Sequence, residues 1–312
     1  MATKANSIVS VNRPAGEHMA EEYWTEELRR SVPPIRLPVA RAKAGAAAKV
    51  PAPSGDPGHT PHSRGSAEEP KTPLAPRGTG GFAVPTPLAY PFRTNGRLFG
   101  TLPNGDGFSG SASLISPNIL LTAGHCVFTT AAVSPKPVKA GWNGNLVFYP
   151  SYPLRSPRDP YYKFGWNSAA CWTAWSQNTN FAFDYAMIWI DAAPGNALGW
   201  LGTLWNASTS GRTWTAIGYP ALPNPPFNGN AMDEATGQYG GSDESGTFIL
   251  SNDNMSHGSS GGPWITTWNE SSPTHANSDT SNIDGNGNLS GPYYTQDLNN
   301  LFNWISDPAN RA

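Results

Sequence analysis

Cysteine is nearly absent from this chain. Its 312 residues hold two, Cys126 and Cys171, too few for a multiply bridged scaffold and, on their own, for a tetrahedral zinc site. Charge is sparse as well: Asp, Glu, Lys and Arg make up 13 % of the residues and sum to −2, which excludes the basic face of a nucleic-acid binder. No apolar run approaches the roughly 20 residues of a membrane-spanning helix. The first twelve residues, Met1-Ala-Thr-Lys-Ala-Asn-Ser-Ile-Val-Ser-Val-Asn12, carry only a trace of a signal peptide's apolar core. With 33 Gly and 31 Pro, long helices are disfavoured too.

The chain does have aromatics, 12 Trp, 11 Tyr and 12 Phe, enough for a substantial core. They are unevenly placed. Residues 1–80 carry a net charge of +3 and one Trp, whereas residues 81–312 carry −5 and the other 11. This shift predicts a disordered tail or pro-segment over residues 1–85 and one folded unit over 86–312. Arg36 to Pro87 is a run of Pro, Ala, Gly, Ser and charge, which cannot bury enough apolar surface to offset its ordering entropy and reads as a linker. Before it, Glu21 to Arg30 suits one short helix with Thr25 as N-cap and Glu26 and Glu27 in the first turn.

From residue 92 onward, short β-prone runs such as Asn118-Ile-Leu-Leu-Thr122, Tyr185-Ala-Met-Ile-Trp-Ile190 and Thr213-Trp-Thr-Ala-Ile217 alternate with turn clusters, the pattern of an antiparallel barrel or sandwich. A helix is expected only at the end. Leu298, Leu301, Phe302 and Ile305 recur at helical spacing, Thr295 can cap the start and Pro308 stops the run. Asp284-Gly-Asn-Gly-Asn288 looks like half of a calcium loop, but its twelfth position is Thr295 rather than Glu, so a hairpin turn is expected. The two cysteines could close a loop of about 46 residues as a disulfide, worth roughly 3–4 kcal/mol, or stand as two buried thiols.

Three patterns in the order His, Asp, Ser carry chemistry. Leu120-Leu-Thr-Ala-Gly-His125-Cys runs from an apolar strand into a small-residue turn that presents an imidazole. Phe181-Ala-Phe-Asp184-Tyr-Ala-Met-Ile opens an apolar strand with an acid, costly to bury unless paired, and an imidazole N–H is its natural partner. Asp191, at the far end of that strand, reads as a turn residue. Met255-Ser-His-Gly258-Ser259-Ser260-Gly261-Gly262-Pro263-Trp264 flanks serines with glycines that let the backbone bend sharply and aim its amides at one point. A serine becomes a nucleophile when a base takes its proton, the base needs an acid to fix its tautomer, and two backbone N–H groups can hold the oxyanion.

In this order, these segments resemble the chymotrypsin-fold serine peptidases, and more closely their secreted bacterial branch, with its glutamyl endopeptidases and trypsin-like peptidases of actinobacteria. Ile217-Gly-Tyr-Pro220, Gly291-Pro-Tyr-Tyr294 and the early Tyr23-Trp-Thr25 are similar to that branch as well. The resemblance covers roughly residues 92–306. It implies an all-β fold of two six-stranded antiparallel barrels with a C-terminal helix, barrels over about 86–195 and 196–312, and a site between them. It implies His125 as general base, Asp184 as its orienting acid, Ser260 rather than Ser259 as nucleophile, and the N–H groups of Gly258 and Ser260 as oxyanion hole. The expected activity is serine endopeptidase hydrolysis of proteins or peptides through an acyl-enzyme, by a secreted monomer that needs no metal or cofactor and binds neither nucleic acid nor membrane. A preference for Glu or Asp is expected if His275, with Met255, Ser256 and Asn277, lines the pocket. His257 is expected in the loop beside the oxyanion hole.

Three departures from that family stand out. Ser259 replaces the Asp that pairs with the new N-terminus in animal trypsin-like enzymes. The strand Gly110-Ser-Ala-Ser-Leu-Ile115 lacks the usual partner of the cysteine after the histidine, so the resemblance implies a Cys126–Cys171 bridge. No export signal is evident. The alternatives are an inactive relative that binds peptides, a serine esterase, and a carbohydrate binder using exposed Trp166, Trp172, Trp175, Trp200 and Trp205. The sequons at Asn206, Asn254, Asn269 and Asn288 read as unused, since a glycan at Asn254 would crowd the pocket, and Arg77-Gly78 is a candidate point of pro-segment cleavage.

Overall fold

Short apolar runs closed by Gly, Pro and Asn turns build two curled, mainly antiparallel sheets in the computed structural model, which describes residues 6–15, 20–39, 55–68, 81–84, 86–132, 139–152, 162–222, 226–243, 245–284 and 286–311. The Arg77-Gly78 point lies outside them. The first sheet runs Ile8–Asn12, Ser168–Trp172, Ala186–Trp189, Ile119–Thr122, Gly107–Leu114, Asn95–Thr101, Gly144–Pro150 and Phe164–Gly165. Ile119–Thr122 is buried along its whole length, which is why it reads as an unbroken apolar run rather than an alternation.

The second sheet runs Asn282–Ile283, Leu289–Gly291, Phe248–Leu250, Asp233–Ser242, Thr213–Gly218, Pro263–Thr266, His275–Asp279, Gly202–Trp205 and Gly58–His59, with Gly81–Ala83 on the edge of Asp233–Ser242. Its core is aromatic. The Phe248 ring lies 5.1 Å from Trp214 and 4.9 Å from Trp264, the latter at 90°. Both indoles are satisfied, Trp214 Nε1 donating to Asn277 Oδ1 and Trp264 Nε1 to Thr280 Oγ1. The two sheets match the expected double barrel.

The expected terminal helix spans Gln296–Ser306. Thr295 caps it through the Asp297 N–H, and Leu298, Leu301 and Ile305 are fully buried against the first sheet. Asp284 does form a turn, its carboxylate accepting from the Asn286 and Asn288 N–H groups between Asn282–Ile283 and Leu289–Gly291. Asp191 accepts from the Asn167 amide at the strand end.

The early chain departs from the expected disorder wherever it is described, and its strands lengthen both sheets beyond the six expected. Ile8–Asn12 pairs with Ser168–Trp172, and Gly58–His59 with Gly202–Trp205. Trp24 is 1 % exposed, its ring 5.4 Å from Phe99 and its Nε1 donating to the Asn145 carbonyl. Thr25 caps Glu26–Ser31 as expected. The physical reason is edge pairing: an open strand edge offers N–H and C=O groups that any backbone can satisfy, whatever its side chains.

The implied disulfide is also corrected. Cys126 and Cys171 are both buried and free. The Cys126 thiol points at the Ser260 carbonyl, 3.8 Å away, while Cys171 sits mid-strand opposite Ala186, where burial and then Asp184 push its pKa up.

Candidate active site

Three chain segments meet where the sheets face each other. After Ile119–Thr122 the chain tightens into one 3₁₀ turn, Gly124–Cys126, which places His125 at the sheet end. Gly124 is required there, because a Cβ would stand 2.9 Å from both the Asp184 Oδ1 and the Trp175 ring. Asp184 closes the 3₁₀ turn Phe181–Phe183 just before Ala186–Trp189, whose register with Ile119–Thr122 brings the acid beside the imidazole.

The carboxylate accepts three hydrogen bonds. One oxygen takes the His125 backbone N–H at 2.7 Å; the other lies 2.9 Å from His125 Nδ1 and takes the Ser281 hydroxyl at 2.6 Å. Asp184 is fully buried and His125 is 3 % exposed. Burial alone would lower the His125 pKa, but Asp184, with Cys126, outweighs it and holds the pKa well above 6.5. A second buried acid lies within electrostatic reach of the pair. Asp279 accepts from the Tyr294 hydroxyl at 2.8 Å, and burial, followed by repulsion from Asp184, pushes its pKa far up.

The serine loop docks against the same corner. The Ser260 carbonyl accepts from the Ser111 N–H at 2.8 Å and faces Cys126. Gly261 turns at φ +79°, where a Cβ would come within 2.1 Å of Thr122 Oγ1. Ser260 Oγ and His125 Nε2, the two atoms a proton transfer needs, are both buried and without a hydrogen-bond partner. Ser259 Oγ instead donates to the Ser256 carbonyl at 2.6 Å, leaving Ser260 as the free hydroxyl.

Gly258, the expected oxyanion donor, sits at φ +98°, and a Cβ on it would stand 2.5 Å from the Tyr219 carbonyl. Gly258→Ala is therefore expected to shift the loop, lowering kcat about 10²-fold and stability by about 1–3 kcal/mol; kinetics and a thermal melt check it, and wild-type kcat would overturn it.

The Gly258 N–H already has a partner. It donates to the Ile35 carbonyl at 3.2 Å. Residues 33–39 cross from one sheet to the other over this loop: Ser109 N–H donates to the Pro33 carbonyl, Ile35 N–H to the Ser109 carbonyl, and Ile283 N–H to the Pro38 carbonyl. His257 accepts from the Leu37 N–H at 2.9 Å through Nδ1. Both bridges of this segment, Pro34 to Ser109 and Val39 to Ile283, are parallel.

The expected pocket residues go elsewhere. Met255 is buried in the second core with Leu37, Trp214 and Trp264. Asn277 spends its amide on the Leu204 carbonyl and the Trp214 indole. Ser256 donates to the Leu222 carbonyl. His275 pairs with Glu270 at 3.0 Å and packs against His59 and His62. Trp166, Trp172, Trp175 and Trp205 are buried and Trp200 is half-buried, which removes the exposed ring platform of a carbohydrate binder.

Three further residues have no sequence signal. Ser281 is a lone serine far down the chain from Asp184, and Asn143, whose amide donates to the His125 carbonyl at 3.1 Å, sits in an ordinary turn. Asp279 reads as a strand polar residue.

No protein-family model matches the chain. Over 143 residues it is 31 % identical to a glutamyl endopeptidase of Bacillus licheniformis, and over 140 residues 25 % identical to a protein of Bacillus subtilis named an extracellular metalloprotease. These stretches are 44 % of this chain and span 39 % and 42 % of the respective relatives, so the chain covers about two-fifths of the length of the curated proteins it matches. Among solved structures, the protease Anisep of Arthrobacter nicotinovorans is 27 % identical with a TM-score of 0.57, over 68 % of this chain and 94 % of that one. The thermostable serine protease AL20 from an extremophilic microorganism (23 %, TM-score 0.59, 69 % and 97 % covered) and a Glu endopeptidase (20 %, 0.58, 73 % and 97 %) share the fold. The structural neighbours are trypsin-like serine proteases.

Proposed function

We propose that this chain, which has the fold of the trypsin-like serine proteases, is a secreted serine endopeptidase whose own early residues cover its catalytic cleft. Ser260 attacks the substrate carbonyl, His125 takes its proton, and Asp184 keeps the imidazole proton on Nδ1 so that Nε2 can act as the base. Charge developing on the carbonyl oxygen meets the Gly258 and Ser260 N–H groups. His125 then passes the proton to the leaving amine, and water activated by the same nitrogen releases the acyl group. The observation that carries this reading is the buried Asp184–His125 pair, whose free Nε2 shares one corner with the one unbonded hydroxyl of the serine loop. Preference for an acidic residue before the cleaved bond is supported by the similarity to glutamyl endopeptidases; His275, engaged with Glu270, does not provide it.

The test is a fluorophosphonate probe on the full chain, on Ser260→Ala, and on an opened variant, Ile35→Asp/Leu37→Asp. Stoichiometric label on the opened variant that vanishes with Ser260→Ala is expected; a folded opened variant that takes none would end the reading. Because the base works unprotonated and Asp184 raises its pKa, kcat/KM of the opened variant should climb with pH through a midpoint above 6.5. A profile already flat by about pH 6 would contradict the pairing described above.

A further inference from the structure

We propose that His62, Glu270 and His275 form a binding site for a divalent transition-metal ion of the zinc class, one that ties the early chain to the second barrel. One donor atom from each of the three lies within 4.8 Å of the others. His62 comes from a part of the chain distant from Glu270 and His275, and the fold holds it in place. Gly58–His59 pairs with Gly202–Trp205, and Gly202 stands beside His275 in a parallel register. Trp200 and Ser63 exchange backbone hydrogen bonds of 2.8 and 3.0 Å, which fixes the chain next to His62.

Hydrogen bonds hold two of the three donors in place. Glu270 accepts from the Trp268 and Asn269 N–H groups and from the Thr274 hydroxyl. His275 is 2 % exposed. Its Nδ1 lies 3.0 Å from Glu270 Oε1 and 3.1 Å from Thr274 Oγ1, which fixes the ring and leaves Nε2 as the donor open to an ion.

A second observation points to a ligand. His275 Nε2 is buried and has no hydrogen-bond partner. With Nδ1 between Glu270 and Thr274, this ring carries an unmet nitrogen where protein interiors rarely leave one. Gly202 keeps the space beside it open, since a Cβ there would stand 2.6 Å from Nε2. The His62 and His59 ring centroids are 5.3 and 5.6 Å from the His275 centroid, so imidazoles surround the open nitrogen. Two imidazoles and a carboxylate are borderline donors that suit Zn²⁺, Co²⁺ or Ni²⁺ better than Ca²⁺ or Mg²⁺.

The site is far in function from the His125–Asp184 pair, and its test does not depend on peptidase activity. Chelator-treated full chain is titrated with ZnCl₂ by calorimetry near neutral pH, with Co²⁺ absorption as a spectroscopic check. One ion per chain is expected, at micromolar affinity or tighter. Affinity should fall at least about 100-fold in His62→Ala, a half-buried position, and in Glu270→Gln, with the far-UV spectrum of each retained. Absence of saturable stoichiometric binding would overturn the site, as would equal affinity in the wild type and both folded variants.

Discussion

Asp184→Asn in the opened variant is expected to lower kcat/KM about 10⁴-fold, chiefly through kcat, with the fold intact. The hydrogen bonds dictate why. One carboxylate oxygen takes the His125 backbone N–H, so an asparagine keeps its carbonyl there and turns its NH₂ toward Nδ1. An amide that donates to Nδ1 forces the imidazole proton onto Nε2, the wrong tautomer for accepting a proton from Ser260. The Ser281 hydroxyl, which donates to the same oxygen, must also rotate away. Steady-state kinetics on a peptide amide measures the effect; a loss smaller than tenfold would remove Asp184 from the proposed mechanism. Binding should change little, since Asp184 is fully buried and cannot touch substrate.

The opened variant itself carries the second large effect. Ile35→Asp/Leu37→Asp should speed fluorophosphonate labelling of Ser260 about 10³-fold over the intact chain. Ile35 and Leu37 are 9 % and 3 % exposed, and burying two such side chains stabilises the covered state by about 4 kcal/mol. At 1.4 kcal/mol per decade this is close to three decades in the uncovered population, before the cost of burying two unpaired carboxylates is added. The five backbone contacts of residues 33–39 loosen together, because each depends on the segment lying flat. Labelling rates measured at one probe concentration decide it: equal rates in wild type and a variant with an unchanged near-UV spectrum would mean that the segment does not obstruct the hydroxyl.

How much of this was legible in the sequence follows physical lines. His125, Asp184 and Ser260 each sit in a local pattern that a turn, a paired acid or a sharp bend would explain alone, and only their order along the chain and the resemblance it carries single them out as candidates. The Thr25 and Thr295 caps and the Asp284 turn are local in the same sense. Ser281 and Asn143 act through single hydrogen bonds formed by tertiary approach, and no window contains both partners. The early chain fails for a different reason. Composition measures what a segment can bury by itself, whereas Ile8–Asn12 and residues 33–39 are held by backbone groups against edges and loops that the rest of the molecule provides. The cysteine pairing was carried over by resemblance, and the separate surroundings of the two thiols overrule it.

The cover over Gly258 is part of the same chain as the cleft it fills, and that connectivity sets how the block behaves when the backbone is cut. On the proposed function, while the chain is whole the segment competes with substrate at an effective concentration on the order of millimolar, which few peptides in solution can match. One peptide bond broken between Val39 and Gly81 leaves every contact at Ile35, Leu37 and Pro38 intact at first. It nevertheless converts a first-order return into a second-order encounter, so the freed piece escapes as the solution is diluted. The onset of activity after such a cut should therefore depend on protein concentration: slow and partial in concentrated solution, rapid and complete in dilute solution.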